Sequence, residues 1–165
     1  MYHFIKDAII MKIKNCINIA LIIIWLFVIF SFSAQDSKKS RNTSDQVIIK
    51  TAETIKREEL TENEKKLLID KYLVTVRKSA HFFLYFILGI LSFLLAKRIC
   101  GNTPAAFIYT IIFCFIYACS DEIHQLFING RTARFFDICV DTCGATLSTT
   151  ILFTVNKIKN RFKKV

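Results

Sequence analysis

Proline and glycine are scarce in this chain, which has one proline and four glycines among its 165 residues. Hydrophobic residues make up 53% of it, and the mean hydropathy is +0.42. This composition is typical of an integral membrane protein and not of a soluble domain. Charge is also absent from four long stretches, each about as long as a helix needs to cross hydrocarbon. The sequence predicts four membrane-spanning helices, at about residues 15–33, 79–97, 104–121 and 135–156.

The segment between the first two spans, residues 34–78, lacks both proline and glycine, so it is not a flexible linker. Thr61 and Glu64 form a capping-box pattern ahead of an apolar stripe, which predicts a helix from near Thr61. Such a helix either lies on the membrane surface or continues into the second span, and the pattern does not decide between them. The predicted fold is a single all-α domain over residues 1–165, a four-helix membrane bundle with a helical outer loop.

Cysteine is absent from the 34–78 segment, and all six cysteines lie in or beside predicted spans. A disulfide framework is therefore not expected. Cys139 and Cys143 are four residues apart and could face Asp137 and Asp141, which suggests a metal site. The stronger interpretation is that they are small buried hydrophobes.

Basic residues at the span ends predict the orientation. Lys12 and Lys14 precede the first span, Lys97 and Arg98 follow the second, and a basic tail follows the fourth. The positive-inside rule then places both termini in the cytoplasm and residues 34–78 outside, where basic residues are dispersed among acids. We expect a multi-pass protein of the cell membrane, in contact with membrane lipids. Nucleic acid is not an expected partner despite the net charge of +10, because membrane topology accounts for the positions of the basic residues.

Three groups of ionisable residues fall at the predicted outer end of the bundle. Charges near a bilayer core cost about 2.5–3.5 kcal/mol each on insertion scales, so such groups usually interact with one another. The spacing of each group places its members on neighbouring helix positions. The sequence therefore predicts one polar pocket formed by Arg77, His81, Tyr85, Asp121, Glu122, His124, Gln125, Arg131, Asp137 and Asp141.

Three functions fit such a pocket. In the first, the arginines bind the anionic head of an amphiphile, such as a lipidated glycopeptide or a lipid-linked envelope precursor. In the second, a membrane-embedded hydrolase holds a divalent metal on His81, His124, Asp121 and either Asp141 or Asp137, with Glu122 or a free Asp as the base, although no HExxH-type ligand pair is present. In the third, Arg77 and Arg131 pair with Asp137 and Asp141 to lock the bundle. The first and third need no cofactor, and the sequence does not give the oligomeric state.

The chain resembles the VanZ-like family, named after a teicoplanin-resistance protein. The resemblance lies in three segments, FSFSAQDSKKSRNTS, RKSAHFFLYFILG and DEIHQLFINGRTARFFDICVDTCG. It carries over Ser33, Gln35, Ser40, Ser44, Arg77, His81, Phe82, Tyr85, Gly89, Asp121, Glu122, His124, Gln125, Phe127, Gly130, Arg131, Asp137 and Gly144.

Two positions depart from the pattern of the family. Many members have Asn where this chain has Asp141, and Pro where it has Asn129. Because Asp141 adds an acid to the group, the neutral hydrogen-bonding role of the family's Asn does not carry over simply to this residue. The resemblance implies a four-helix topology and, in one branch, low-level resistance to a lipidated glycopeptide, but no established reaction.

Overall fold

The computed structural model describes residues 2–35 and 37–162, and all of their regular secondary structure is helical. Four of the five helices are long and apolar enough to cross a membrane, which confirms the predicted all-α fold with four spans. The prediction that both termini are cytoplasmic stays a prediction. The helices are α1 (Tyr2–Ser33), α2 (Ser37–Lys56), α3 (Glu62–Cys100), α4 (Thr103–Gln125) and α5 (Phe135–Phe162).

Helix α3 is a single helix of 39 residues that contains the second predicted span. It begins after Thr61, whose side chain accepts a hydrogen bond from the Glu64 backbone while the Glu64 carboxylate accepts one from the Thr61 backbone. This capping box confirms the predicted start. The helix then continues into the span without a break, which settles the alternative that the sequence left open. At a rise of 1.5 Å per residue, residues 62–78 extend about 26 Å beyond the predicted span.

A second helix, α2, precedes this extension and packs against α3. The sequence predicted a helix in the 34–78 segment only from Thr61, so α2 is an addition to the prediction. Its Ile48 is buried, as is Leu60 in the connection to α3. Together, α2 and residues 57–78 form a helical hairpin that is joined rigidly to the second span, hereafter the α2–α3 hairpin.

Side chains of α1 and α4 fasten α1 to the bundle through backbone carbonyls in the apolar region. The indole Nε1 of Trp25 donates to the Leu84 carbonyl at 2.8 Å, and the amide of Asn18 donates to the Leu91 carbonyl at 3.0 Å. The hydroxyl of Tyr117 donates to the Leu26 carbonyl at 2.8 Å. Polar groups in hydrocarbon need such partners. These bonds set α1 antiparallel to α3 and alongside α4.

Helices α3 and α5 run parallel to each other and approach closely at two glycines. A Cβ atom on Gly89 would lie 2.8 Å from the carbonyl oxygen of Ala145, and one on Gly144 would overlap the carbonyl oxygen of Phe82. Ser148, one turn after Gly144 on α5, lies directly against Gly89. Small residues at such contacts are typical of membrane helix pairs.

We expect Gly144→Ala to destabilise the bundle. The added methyl group meets the backbone of α3, which cannot rotate away, so the two helices must separate; overpacking of this kind costs about 1–3 kcal/mol. Thermal unfolding of the purified protein in detergent measures the effect. Cys143→Ala, at the exposed preceding position, is the control and should unfold as wild type. Equal stability of the two variants would show that α3 and α5 do not pack this closely.

Candidate functional site

Charged side chains of α3, α4, α5 and the 126–134 loop line one cavity of about 310 Å³. This polar cavity lies at the end of the bundle where α1 and α4 end and α5 begins. Seven of the ten residues predicted to form a pocket line it: Arg77, His81, Glu122, Gln125, Arg131, Asp137 and Asp141.

The other three predicted residues lie outside the cavity wall. Asp121 and Tyr85 are buried, at 3% and 0% exposure, and the Asp121 carboxylate accepts a hydrogen bond from the Gln125 amide at 3.4 Å. His124 lies elsewhere, with its ring centroid 4.6 Å from that of Phe30 on α1. Successive helical residues are about 100° apart, so Asp121 and Gln125 share one face, whereas His124 points away from Gln125 by about a quarter turn.

His81, Asp121 and Asp141 form the deepest part of the site. One possible ligand atom from each lies within 4.8 Å of the others, and Nδ1 of His81 is 3.6 Å from Oδ1 of Asp141. Asp141 is wholly buried, and neither of its oxygens has a hydrogen-bond partner among the described residues. Buried carboxylates are normally paired or bound to a cation. Of the four metal ligands predicted from the sequence, these three are brought together and His124 is not.

Arg131 is held in the cavity wall by three hydrogen bonds. Its guanidinium donates to the Gln35 carbonyl at 3.2 Å, to the Gln125 side-chain oxygen at 3.3 Å and to the Phe32 carbonyl at 3.5 Å. These bonds tie the 126–134 loop to the end of α1. Burial lowers the pKa of Arg131, and the positive charge of Arg77 lowers it further.

Arg77 also lines the cavity but makes no hydrogen bond or ion pair within residues 2–35 and 37–162. The bundle-locking hypothesis required Arg77 and Arg131 to pair with Asp137 and Asp141. Those pairs are not formed, because Asp137 pairs with Lys78 and the ionisable partner of Asp141 is His81. The specific pairing predicted for a structural lock is therefore wrong.

Lys78 and Arg134 also line the cavity and are not among the residues predicted for it. The spacing could have indicated Lys78, since it lies three residues before His81 and so shares the face of α3 that meets α5. Arg134 contributes through its backbone N–H, which donates to the Glu122 carboxylate at 2.8 Å, and no sequence pattern predicts that contact. All six cysteines are free, Cys143 is exposed, and neither Cys139 nor Cys143 lines the polar cavity.

An apolar groove adjoins the polar cavity on the α3–α5 side of the bundle. The groove and the cavity share Val74, Lys78 and Val140. From there the groove continues along Phe82 and Phe83 of α3. Phe83 is 61% exposed, so this part of the surface offers apolar area beside a charged cavity. The charged cavity and the apolar groove are thus placed side by side, as are the polar head and the apolar tail of an amphiphile.

The fold and the site together define a four-span helical membrane protein with a charged cavity at one end of the bundle. The profile of the VanZ/LLP1 family matches residues 18–156, nearly the whole chain, and the protein belongs to that family. No curated protein and no solved structure matches the chain significantly.

Proposed function

We propose that the polar cavity binds the anionic head of a membrane amphiphile while the acyl or prenyl tail lies in the apolar groove. One observation supports this most strongly: Arg77 and Arg131 face the same cavity, and the guanidinium of Arg77 has no partner in the described residues. Two cations that repel each other across a cavity are stabilised by an anion between them. A guanidinium offers five donors in a fixed fork that fits phosphate or carboxylate.

The other polar groups of the cavity suit a head group with hydroxyls. The Glu122 carboxylate keeps one oxygen without a partner, and Asp137 is held toward the cavity by Lys78. Carboxylates and the Gln125 amide could accept hydrogen bonds from sugar hydroxyls. The proposed ligand is therefore a glycosylated or phosphorylated lipid-linked molecule of the cell envelope.

The predicted orientation places this cavity at the outer leaflet of the cell membrane. A protein that binds lipid-linked envelope precursors there would alter the access of lipidated glycopeptides, which insert a tail into the same leaflet. This accounts for the effect on lipoglycopeptide susceptibility that the family resemblance implies. Binding alone suffices for it, and no chemical reaction is required.

Removal of the Arg77 guanidinium should weaken binding of an anionic amphiphile. A hydrogen bond to a charged group contributes about 1.5–3 kcal/mol, so Arg77→Gln should lower the affinity roughly tenfold or more. The measurement is a titration of purified protein in neutral detergent with a polyprenyl phosphate. The uncharged polyprenol of the same length separates the contribution of the head from that of the tail.

Arg98→Gln is the matched control, because Arg98 lies at the opposite end of the second span and donates to the Lys14 carbonyl. It should bind the polyprenyl phosphate as wild type does. Equal binding of phosphate and alcohol, or an equal loss in Arg77→Gln and Arg98→Gln, would contradict the proposal. In a susceptible host, Arg77→Gln at wild-type abundance should also lose any protection against a lipidated glycopeptide that expression of the wild type confers.

A further inference from the structure

The group of His81, Asp121 and Asp141 places two carboxylates and one imidazole around a small buried volume. Two donors bound to one ion at about 2.1 Å can be at most about 4.2 Å apart, and all three ligand atoms here lie within 4.8 Å of one another. The 3.6 Å between His81 Nδ1 and Asp141 Oδ1 corresponds to an angle of about 120° at such an ion, within the range of four- and five-coordinate sites. A side-chain movement of about 1 Å brings the widest pair that this limit allows to the same spacing.

Two members of this group, His81 and Asp141, have polar atoms without a hydrogen-bond partner. Both oxygens of Asp141 and Nδ1 of His81 make no hydrogen bond within the described residues, although Asp141 is 0% exposed. The nearby arginine does not compensate, because Arg131 donates to Gln125 and to backbone carbonyls. A wholly buried carboxylate with no hydrogen bond to either oxygen indicates a cation that binds there, independently of the clustering itself.

We propose that His81, Asp121 and Asp141 bind one divalent transition-metal ion. The two positive charges of the ion would balance the negative charges of the two carboxylates. The neutral imidazole of His81 would bind the ion through Nδ1 and carry its proton on Nε2. One nitrogen and two oxygen donors are suited to Zn²⁺, Mn²⁺ or Fe²⁺ and less to Mg²⁺ or Ca²⁺, which prefer oxygen alone. Three protein ligands leave at least one coordination position open.

The open position would face the polar cavity, since His81 and Asp141 are both part of its wall and Asp121 lies behind them. A bound metal would thus add a positive charge at the inner end of the cavity, where a phosphate oxygen could become a further ligand. The metal site does not depend on the proposed amphiphile. Metal binding can be measured without any lipid, and amphiphile binding can fail while metal binding stands.

The test uses full-length protein purified in detergent with an affinity tag that contains no histidine. After treatment with a chelator, titration with Zn²⁺ or Mn²⁺ should show one equivalent bound per chain. Asp141→Asn and Asp121→Asn should each weaken the affinity by at least about tenfold, since even residues that only orient metal ligands commonly contribute that much. Both substitutions are nearly isosteric and keep the volume of the core.

His124→Gln is the matched control. His124 lies on α4 one turn from Asp121 but stacks on Phe30, and its Nε2 has no hydrogen-bond partner. It should bind metal as wild type does. Arg77→Gln should likewise keep the metal while it loses the polyprenyl phosphate, and this combination separates the two proposals.

A spectroscopic measurement on wild-type protein keeps the proposal testable where a variant does not fold. Mn²⁺ bound to the protein should show the electron spin-echo modulation of a coordinated imidazole nitrogen, and His81→Gln should abolish it. Three results would each overturn the proposal: no stoichiometric binding of Zn²⁺ or Mn²⁺, absence of the nitrogen signal in wild type, or a loss of affinity in His124→Gln equal to that in Asp141→Asn.

Discussion

Asp141→Leu should raise the stability of the metal-free protein instead of lowering it. Asp141 is wholly buried, neither of its oxygens accepts a hydrogen bond among the described residues, and each unsatisfied buried polar group costs about 1–3 kcal/mol. Leucine fills a similar volume without a polar group, and His81 at 3.6 Å loses no hydrogen bond, so the substitution removes this cost. We expect an increase in this range in the free energy of unfolding, measured in detergent with a chelator present. Asp141 would then be a residue retained for binding and not for folding.

Asp137→Leu is the matched control on the same helix. Asp137 lies one turn earlier on α5 and pairs with Lys78, so its removal leaves that ammonium group without its partner. It should lower the stability slightly. A loss of stability in Asp141→Leu as large as in Asp137→Leu would show that the carboxylate of Asp141 is compensated within the folded protein, and would contradict its assignment to an external cation.

The convergence of the polar groups followed from helix periodicity and from the alternating direction of the spans. Arg77 and His81 are one turn apart, as are Asp137 and Asp141, and parallel packing of α3 and α5 brings the two pairs to one level. The sequence contained both facts. It did not contain the rotation of α4 about its own axis, which turns His124 toward α1 and leaves Gln125 in the cavity wall.

Partner choice among the charged residues could not be predicted either. Arg77 and Lys78 are adjacent, and both were near enough to reach an acid on α5. Their side chains lie about 100° apart on the helix, so only one of them faces Asp137. That one is Lys78, because the close contact of Gly144 with Phe82 fixes which face of α3 meets α5. Packing of uncharged residues thus decided which cation stayed unpaired.

The α2–α3 hairpin shows the limit of local patterns. The capping box at Thr61 identified where α3 begins, because a cap depends on residues within one turn. The sequence did not decide whether α3 continues into the span, because an interfacial helix and a continuous helix have the same apolar stripe. Helix α2 has few buried apolar residues and no such cap among those described, so its stability depends on contact with α3.

Thr75→Pro should uncouple this hairpin from the bundle. Proline in a helix interior removes one backbone hydrogen bond and clashes with the preceding turn, at about 3 kcal/mol or more. Thr75 is exposed, so the side chain contributes little packing and the effect is on the backbone. We expect faster limited proteolysis within residues 57–76, while the spans remain folded and inserted. Binding of the polyprenyl phosphate should fall as well, because Arg77 lies only two residues beyond the break.

Thr75→Ala keeps the helix and the apolar character of the groove that Thr75 lines, so it should match wild type in both measurements. Since alanine and proline both remove the threonine side chain, the difference between the two variants isolates the continuity of α3. Binding that survives in Thr75→Pro together with increased proteolysis would mean that the hairpin does not help to position Arg77. Unchanged proteolysis would mean that residues 62–78 and the second span do not form one continuous helix, and the rigid attachment of the hairpin to the cavity wall would then be wrong.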